Sequence, residues 1–97
     1  MRAIVIRTTG AVEEQQWDQQ TFHRWRLGEI DGVRRRAVSL DFGLDIWAAA
    51  DQGTQLGSNT LGAEVAQRLA LPEEQRHFRP PYAADMLVLG ANHSDPP

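Results

Sequence analysis

Arg24, Arg26, Arg34, Arg35 and Arg36 place half of the chain's ten basic residues within thirteen positions. Guanidinium groups fork onto carboxylate or phosphate oxygens. This run therefore suits contact with an acidic protein partner or with nucleic-acid phosphates. The plainer account, a solvated basic edge beside acidic neighbours, is the stronger expectation. Gly57-Ser58-Asn59-Thr60-Leu61-Gly62 has the glycine spacing of a phosphate loop, but Ala63 and Glu64 stand where Lys and Ser or Thr would follow. Its expected role is structural, with Asn59 capping a helix. A weaker alternative is a small-ligand or enzyme site at this loop, near Asp51.

The remaining polar residues carry less. His23, His77 and His93 lack metal-ligand spacing, apart from Asp95 two positions after His93. Asp41, Asp45 and Asp51 fall around turns, where Asp bonds its own backbone. Ser39, Ser58 and Ser94 sit in no nucleophile motif. The expectation is no catalytic residue, no metal and no cofactor.

Charge and composition narrow the class. A net charge of −3 argues against a generic DNA binder and is too small for a DNA mimic. All ten basic residues are Arg, which a GC-rich genome would explain. There is no Cys, so no disulfide or thiolate metal site can form. No apolar run approaches the roughly 20 residues that span a bilayer, and Arg7 ends the first apolar run too early for a signal peptide. The expectation is a cytoplasmic chain with no membrane contact.

The elements that would position these residues are legible. Alternation predicts a strand over Ala3–Thr8 with apolar residues on both faces, hence interior, and a polar edge strand over Val12–Trp17. Asp18 caps a helix through Leu27, which Gly28 stops, with Phe22 and Trp25 on its buried side. In a regular third strand Arg34 and Arg36 would share the side of Val38 and Leu40. Burying those arginines is costly, so either the core-facing strand begins near Ala37 or a bulge intervenes. Asp41-Phe42-Gly43 turns into a strand from Leu44 to Ala49. Asp51-Gln52-Gly53 turns again, and Leu56 anchors the arm before Asn59. The second helix runs to about Leu71, with Leu61, Val65 and Leu69 expected buried. Pro72 opens a short helical turn, Arg79-Pro80-Pro81 is extended, and Asp85–Leu89 is an interior strand.

The expected fold is α+β: one mixed sheet of about five strands in ββαββαβ order, with two helices mainly on one face. Residues 1–90 would form the domain and 91–97 a flexible tail. Ala3, Val5, Trp47, Leu87 and Leu89 would lie on the other face. Two helices on one side leave that face bare, so Trp17 and Trp47 are expected in a self-association surface of a homodimer.

Several motifs, taken in order, resemble a small uncharacterised family, the domain of unknown function thirty-eight forty-six. They are Met1-Arg2-Ala3-Ile4-Val5-Ile6, Gly28-Glu29-Ile30-Asp31, Asp45-Ile46-Trp47, Asp51-Gln52-Gly53, Leu56-x-x-Asn59 and Asp85-Met86-Leu87-Val88-Leu89-Gly90. The chain departs from that family at Thr60, where Pro is usual, and at Ala48-Ala49, where Val-Asn is usual. The resemblance implies an accessory protein of an actinobacterial phage, plasmid or integrated element, and it transfers no catalytic residue. The leading expectation is a non-enzymatic binding or interaction protein, partnered by itself or by another host or phage protein. A nucleic-acid contact module using the arginine run is the less favoured alternative.

Overall fold

A computed structural model of the chain describes residues 1–28, 33–49 and 57–90. The expected turn at Asp51-Gln52-Gly53, the anchor at Leu56, the Gly28-to-Asp31 motif beyond its first residue and the 91–97 tail lie outside the described residues. Five strands and two helices follow one another as β1 (Arg2–Ile6), β2 (Val12–Gln16), α1 (Gln19–Arg26), β3 (Arg34–Leu40), β4 (Leu44–Ala49), α2 (Thr60–Leu69) and β5 (Met86–Gly90). A short 3₁₀ helix, Pro72–His77, lies between α2 and β5.

The α+β class and the element order are as the sequence predicts. The sheet runs β2-β1-β5-β4-β3, and every neighbouring pair is antiparallel, so it is not mixed. The doubly apolar strands β1, β5 and β4 are interior. Polar β2 forms one edge, and arginine-rich β3 forms the other.

The helices do not share a face. Ile6, Val38, Ile46, Ala48, Met86 and Val88 pack with Ala66, Leu61 and Val65 of α2 on one side. Ala3, Val5, Trp47, Leu87 and Leu89 pack with Phe22 and Trp25 of α1 on the other. The connection explains this. Edge strand β2 and edge strand β3 run the same way, so the chain must cross the sheet between them, and a crossover lays its helix over one face. The face predicted to be bare is thus the one α1 covers. Trp47 is only 4% exposed, set edge-on to Phe22 at 5.2 Å between centroids. The expected self-association surface at Trp17 and Trp47 is in that part interior.

Of the two alternatives for the third strand, edge strand β3 takes the bulge. Arg36 pairs with Trp47 and Val38 with Ile46, leaving Ala37 as the extra residue. Val38 and Leu40 thereby face α2 beside Ile46 and Ala48. The strand begins at Arg34 rather than near Ala37. Its far end is covered by the 3₁₀ segment: Leu71 N–H donates to Ser39 O at 3.2 Å, and Ser39 N–H donates to Glu74 Oε1 at 2.9 Å. The hairpin turn before β4 places Phe42 and Gly43 at φ 64° and 69°, the left-handed region that glycine tolerates best.

Helix α2 is seated by small residues. Its buried positions are Gly62 and Ala66, flanked by half-buried Leu61 and Val65. Leu69, expected to be buried, is 44% exposed, because the helix approaches the sheet along the Gly62–Ala66 line and Leu69 falls beyond it. A Cβ on Gly62 would run into Met86 Sδ and Asn59 Oδ1.

Asn59 is 1% exposed. Its Oδ1 accepts from Gly62 N–H at 2.8 Å, and its Nδ2 donates to Ile6 O at 2.7 Å and Ala84 O at 2.9 Å. Removing the side chain loses a helix cap and strands two carbonyls. Asn59→Ala should cost about 2–4 kcal/mol in urea unfolding. Asn59→Asp keeps the cap but sets a carboxylate oxygen against two carbonyls, so it should be no more stable than Asn59→Ala; wild-type stability in the Asp variant would refute this account.

Candidate functional site

The bulge at Ala37 decides where the arginine run goes. Arg34 and Arg36 project to the α1 face, and Arg35 projects to the α2 face with Val38 and Leu40. The five arginines therefore do not form one patch.

On the α1 face most of them serve the fold. Arg34 is 2% exposed, with its guanidinium 4.8 Å from the centroid of the Trp25 ring. Half-buried Arg26 lies 5.1 Å from the centroid of the Trp47 ring. Arg36 Nη1 is 3.5 Å from Asp45 Oδ2, whose side chain is almost wholly buried. Arg24 is exposed on α1. A weakly hydrated planar cation can lie on an indole at modest desolvation cost, which is how β3 accommodates a buried Arg34. Arg34 thus departs from the expected solvated basic edge.

The aromatic rings continue the same layer. Trp17 is half-buried and edge-on to Trp25 at 5.8 Å, and Phe22 stacks on Trp25 at 6.5 Å. The Trp17 indole N–H donates to Gln15 Oε1 at 2.8 Å. Arg7 forks onto Glu13 at 2.8 and 3.2 Å and reaches Asp85 at 2.8 Å. Asp85 also accepts from Thr8 N–H at 3.0 Å. The hydrogen bonds to Glu13 and then Asp85 raise the Arg7 pKa above its ordinary value. The Glu13 carboxyl is lowered, chiefly by its hydrogen bond from Arg7, and Asp18 is lowered by the Thr21 N–H that it caps.

On the α2 face Arg35 is exposed at the rim of a hollow of about 130 Å³, with His77 and Arg79 around it and Ala37, Ala48, Ala49 and Tyr82 in its walls. Tyr82 Oη accepts from Arg79 N–H at 2.9 Å, and the Arg79 guanidinium donates to the carbonyls of Arg76 and Phe78. Glu74 Oε2 lies 3.4 Å from His77 Nε2. Sequence position alone does not group Arg35, His77 and Arg79. The signal was present in the parity of β3: once a bulge is admitted, Arg35 is the arginine that joins the α2 face.

Another concavity, about 350 Å³, adjoins the N-terminus of α2 and is lined by Ser58, Thr60, Ala63, Pro80, Pro81 and Tyr82 with Asn59. It contains part of the glycine loop. Ala84 N–H donates to Gly57 O at 2.8 Å and Asn59 N–H to Tyr82 O at 2.7 Å, so the loop is pinned to the segment before β5. The Gly62 amide, which would face a phosphate in a phosphate loop, is already bonded to Asn59. Among the described residues no group of three His, Asp or Glu side chains is placed to hold a metal ion, and no helix is long and apolar enough to cross a membrane. Compared with family models, with curated proteins and with solved structures, the chain matches none.

The two fates of the arginines are separable by stability. Arg34→Ala and Arg34→Lys should each lower unfolding stability by about 2 kcal/mol, since neither keeps a planar cation on Trp25. Arg35→Ala should stay within about 0.5 kcal/mol of wild type; the reverse ranking in urea unfolding would show the partition to be wrong.

Acid dependence follows from the depressed carboxyls. Glu13 and Asp18 are held below their ordinary values of 4.5 and 3.8 in the folded chain. The stability they contribute is fully present above those values. It is lost as pH falls through the lower folded values. Thermal melts from pH 6 downward should show a decline starting near ~pH 4–5, shallower in Glu13→Gln; an identical slope in that variant would remove Glu13 from the account.

Proposed function

We propose that this chain is a non-enzymatic binding protein that docks an acidic segment of a protein partner into the hollow around Arg35, His77 and Arg79. The carrying observation is the exposed guanidinium of Arg35 at the rim of a concavity with small apolar walls. A guanidinium above Ala37, Ala48 and Ala49 suits a carboxylate on a short stem. The hollow's volume of about 130 Å³ fits one such side chain rather than a duplex. Net negative charge elsewhere on the chain disfavours extended polyanions. The partner is another macromolecule rather than a second copy, because α1 already fills the face on which a homodimer was expected. The motifs that resemble the domain of unknown function thirty-eight forty-six extend the same proposal to an accessory of a phage, plasmid or integrated element, acting in the cytoplasm of its host.

The test uses fluorescence anisotropy with a labelled polyglutamate peptide and a labelled random-sequence DNA duplex at low salt. The expected result is measurable affinity for the peptide that falls as salt rises, with about a tenfold or greater loss in Arg35→Ser at unchanged fold. Tighter binding of the duplex, with the steep salt slope of phosphate contacts, would replace this reading with nucleic-acid contact. Failure of both probes would overturn the proposal.

A further inference from the structure

The two edges of the sheet are finished differently. Edge strand β3 is broken by the bulge at Ala37, and the outward N–H and C=O of its Ser39 are taken by Glu74 and Leu71. Edge strand β2 has neither feature. It pairs with β1 in unbroken register from Val12 to Gln16 and contains no proline. A row of unpaired backbone groups on a regular edge is a template for another strand.

The hydrogen bonds at the two ends of the β1–β2 pair show which groups are open. Trp17 N–H donates to Met1 O at 2.9 Å, and Arg7 N–H donates to Ala11 O at 2.8 Å. In an antiparallel pair the residues bonded to the neighbouring strand recur at every second position. Glu13 and Gln15 therefore also turn their backbone toward β1, while Val12, Glu14 and Gln16 turn theirs outward. Among the described residues nothing bonds the N–H or C=O groups of these three, and all three are exposed. Their side chains lie on the α2 face, since Val12 stands opposite Ile6 and Glu14 opposite Ile4.

Charge selects what this edge accepts. Glu14 stands at the middle of the outward row. Its carboxylate meets Arg2 Nε at 2.9 Å, with both side chains more than half exposed. An exposed pair of this kind is weak, and a carboxylate has about four acceptor positions, so it can take a second cation from the open side. A second copy's β2, laid antiparallel in the symmetric register, would set Glu14 against its own equivalent, and like charges directly opposite destabilise. An acidic strand is disfavoured in the same way. Val12, 58% exposed, offers apolar contact two positions from Glu14. We infer that β2 accepts a basic, extended segment of a protein partner as a sixth, antiparallel strand of the sheet. Arginine or lysine stands opposite Glu14, and an apolar residue stands opposite Val12. Backbone bonds supply the affinity, and Glu14 supplies the choice. The surface is independent of the hollow at Arg35, because β2 and β3 are opposite edges.

Isotope-labelled chain titrated with capped peptides and followed by the backbone N–H signals in NMR tests this. The probe is Thr-Thr-Arg-Thr-Val, which sets arginine opposite Glu14 and valine opposite Val12. One comparator carries glutamate in place of the arginine. Another carries an N-methyl group on the arginine amide, which removes a cross-strand bond and keeps the charge. Saturable shifts at Val12, Glu14 and Gln16 are expected with the probe, together with slower hydrogen exchange at those three amides. Glu14→Arg, at an exposed position, should weaken the arginine peptide about threefold to tenfold and strengthen the glutamate peptide. Arg35→Ser should change neither, so failure at this edge and failure at the acidic-segment hollow are told apart. No shift up to about 5 mM peptide, equal binding of the glutamate or the N-methyl peptide, or shifts centred on β3 would each overturn the inference. Shifts at β2 that grow with protein concentration alone would also overturn it, by identifying a second copy as the occupant.

Discussion

The buried amide of Asn59 is the constraint on which the α2 half of the fold depends. One side chain caps α2 through Gly62 N–H and binds carbonyls of β1 and of the segment leading into β5. Burying an amide is tolerable only when its hydrogen bonds are made, and here the oxygen and both protons are engaged. The amide therefore fixes three separate pieces of chain at once. It also fixes how closely α2 approaches β5, because Gly62 sits directly over Met86. The small-residue line from Gly62 to Ala66, rather than the leucine line, becomes the contact.

The opposite face obeys a different constraint. A strand bearing Arg34, Arg35 and Arg36 must occupy an edge, and its apolar half must still reach the core. One bulged residue, Ala37, reconciles the two requirements by reversing side-chain parity midway. The arginines are then sorted by what they meet. Arg34 and Arg36 meet indole and carboxylate on the α1 face, while Arg35 emerges on the other. A strand without the bulge would send Arg34 and Arg36 toward the α2 core, where Ile46 and Ala48 provide neither.

Much of this was legible in the chain. The Asp18 and Asn59 caps, the interior placement of β1 and β5, and the shared face of Ala3, Val5, Trp47, Leu87 and Leu89 all follow from local chemistry and a period of two. What covers that shared face was not legible, because strand order is not a local property. The crossover from β2 to β3 spans the whole sheet, and only that path puts Phe22 over Trp47. The cost of burying arginine left two alternatives, a strand beginning near Ala37 or a bulge, and the consequence for Arg35 required knowing that the bulge holds and which residue is extra. The basic hollow eluded sequence reasoning for a related reason. His77 and Arg79 meet Arg35 only because the 3₁₀ segment folds back against β3, and nothing within either segment announces the other.

The exclusive use of arginine also acquires a physical meaning. A GC-rich genome would account for a chain with no lysine, but it would not account for where the arginines sit. Arg7 must bond Glu13 and Asp85 at the same time, which takes a planar fork with several fixed donors. Arg34 must enter the interior as a cation and lie against an indole, which favours a charge that is weakly hydrated and delocalised. A lysine at either position would present a compact, strongly hydrated ammonium: one site would lose its second partner, and the other would carry a larger desolvation cost. At these two positions the guanidinium is a requirement of the fold. At Arg35, where the side chain reaches solvent, it is not, so the chemistry of that residue is left to whatever binds there.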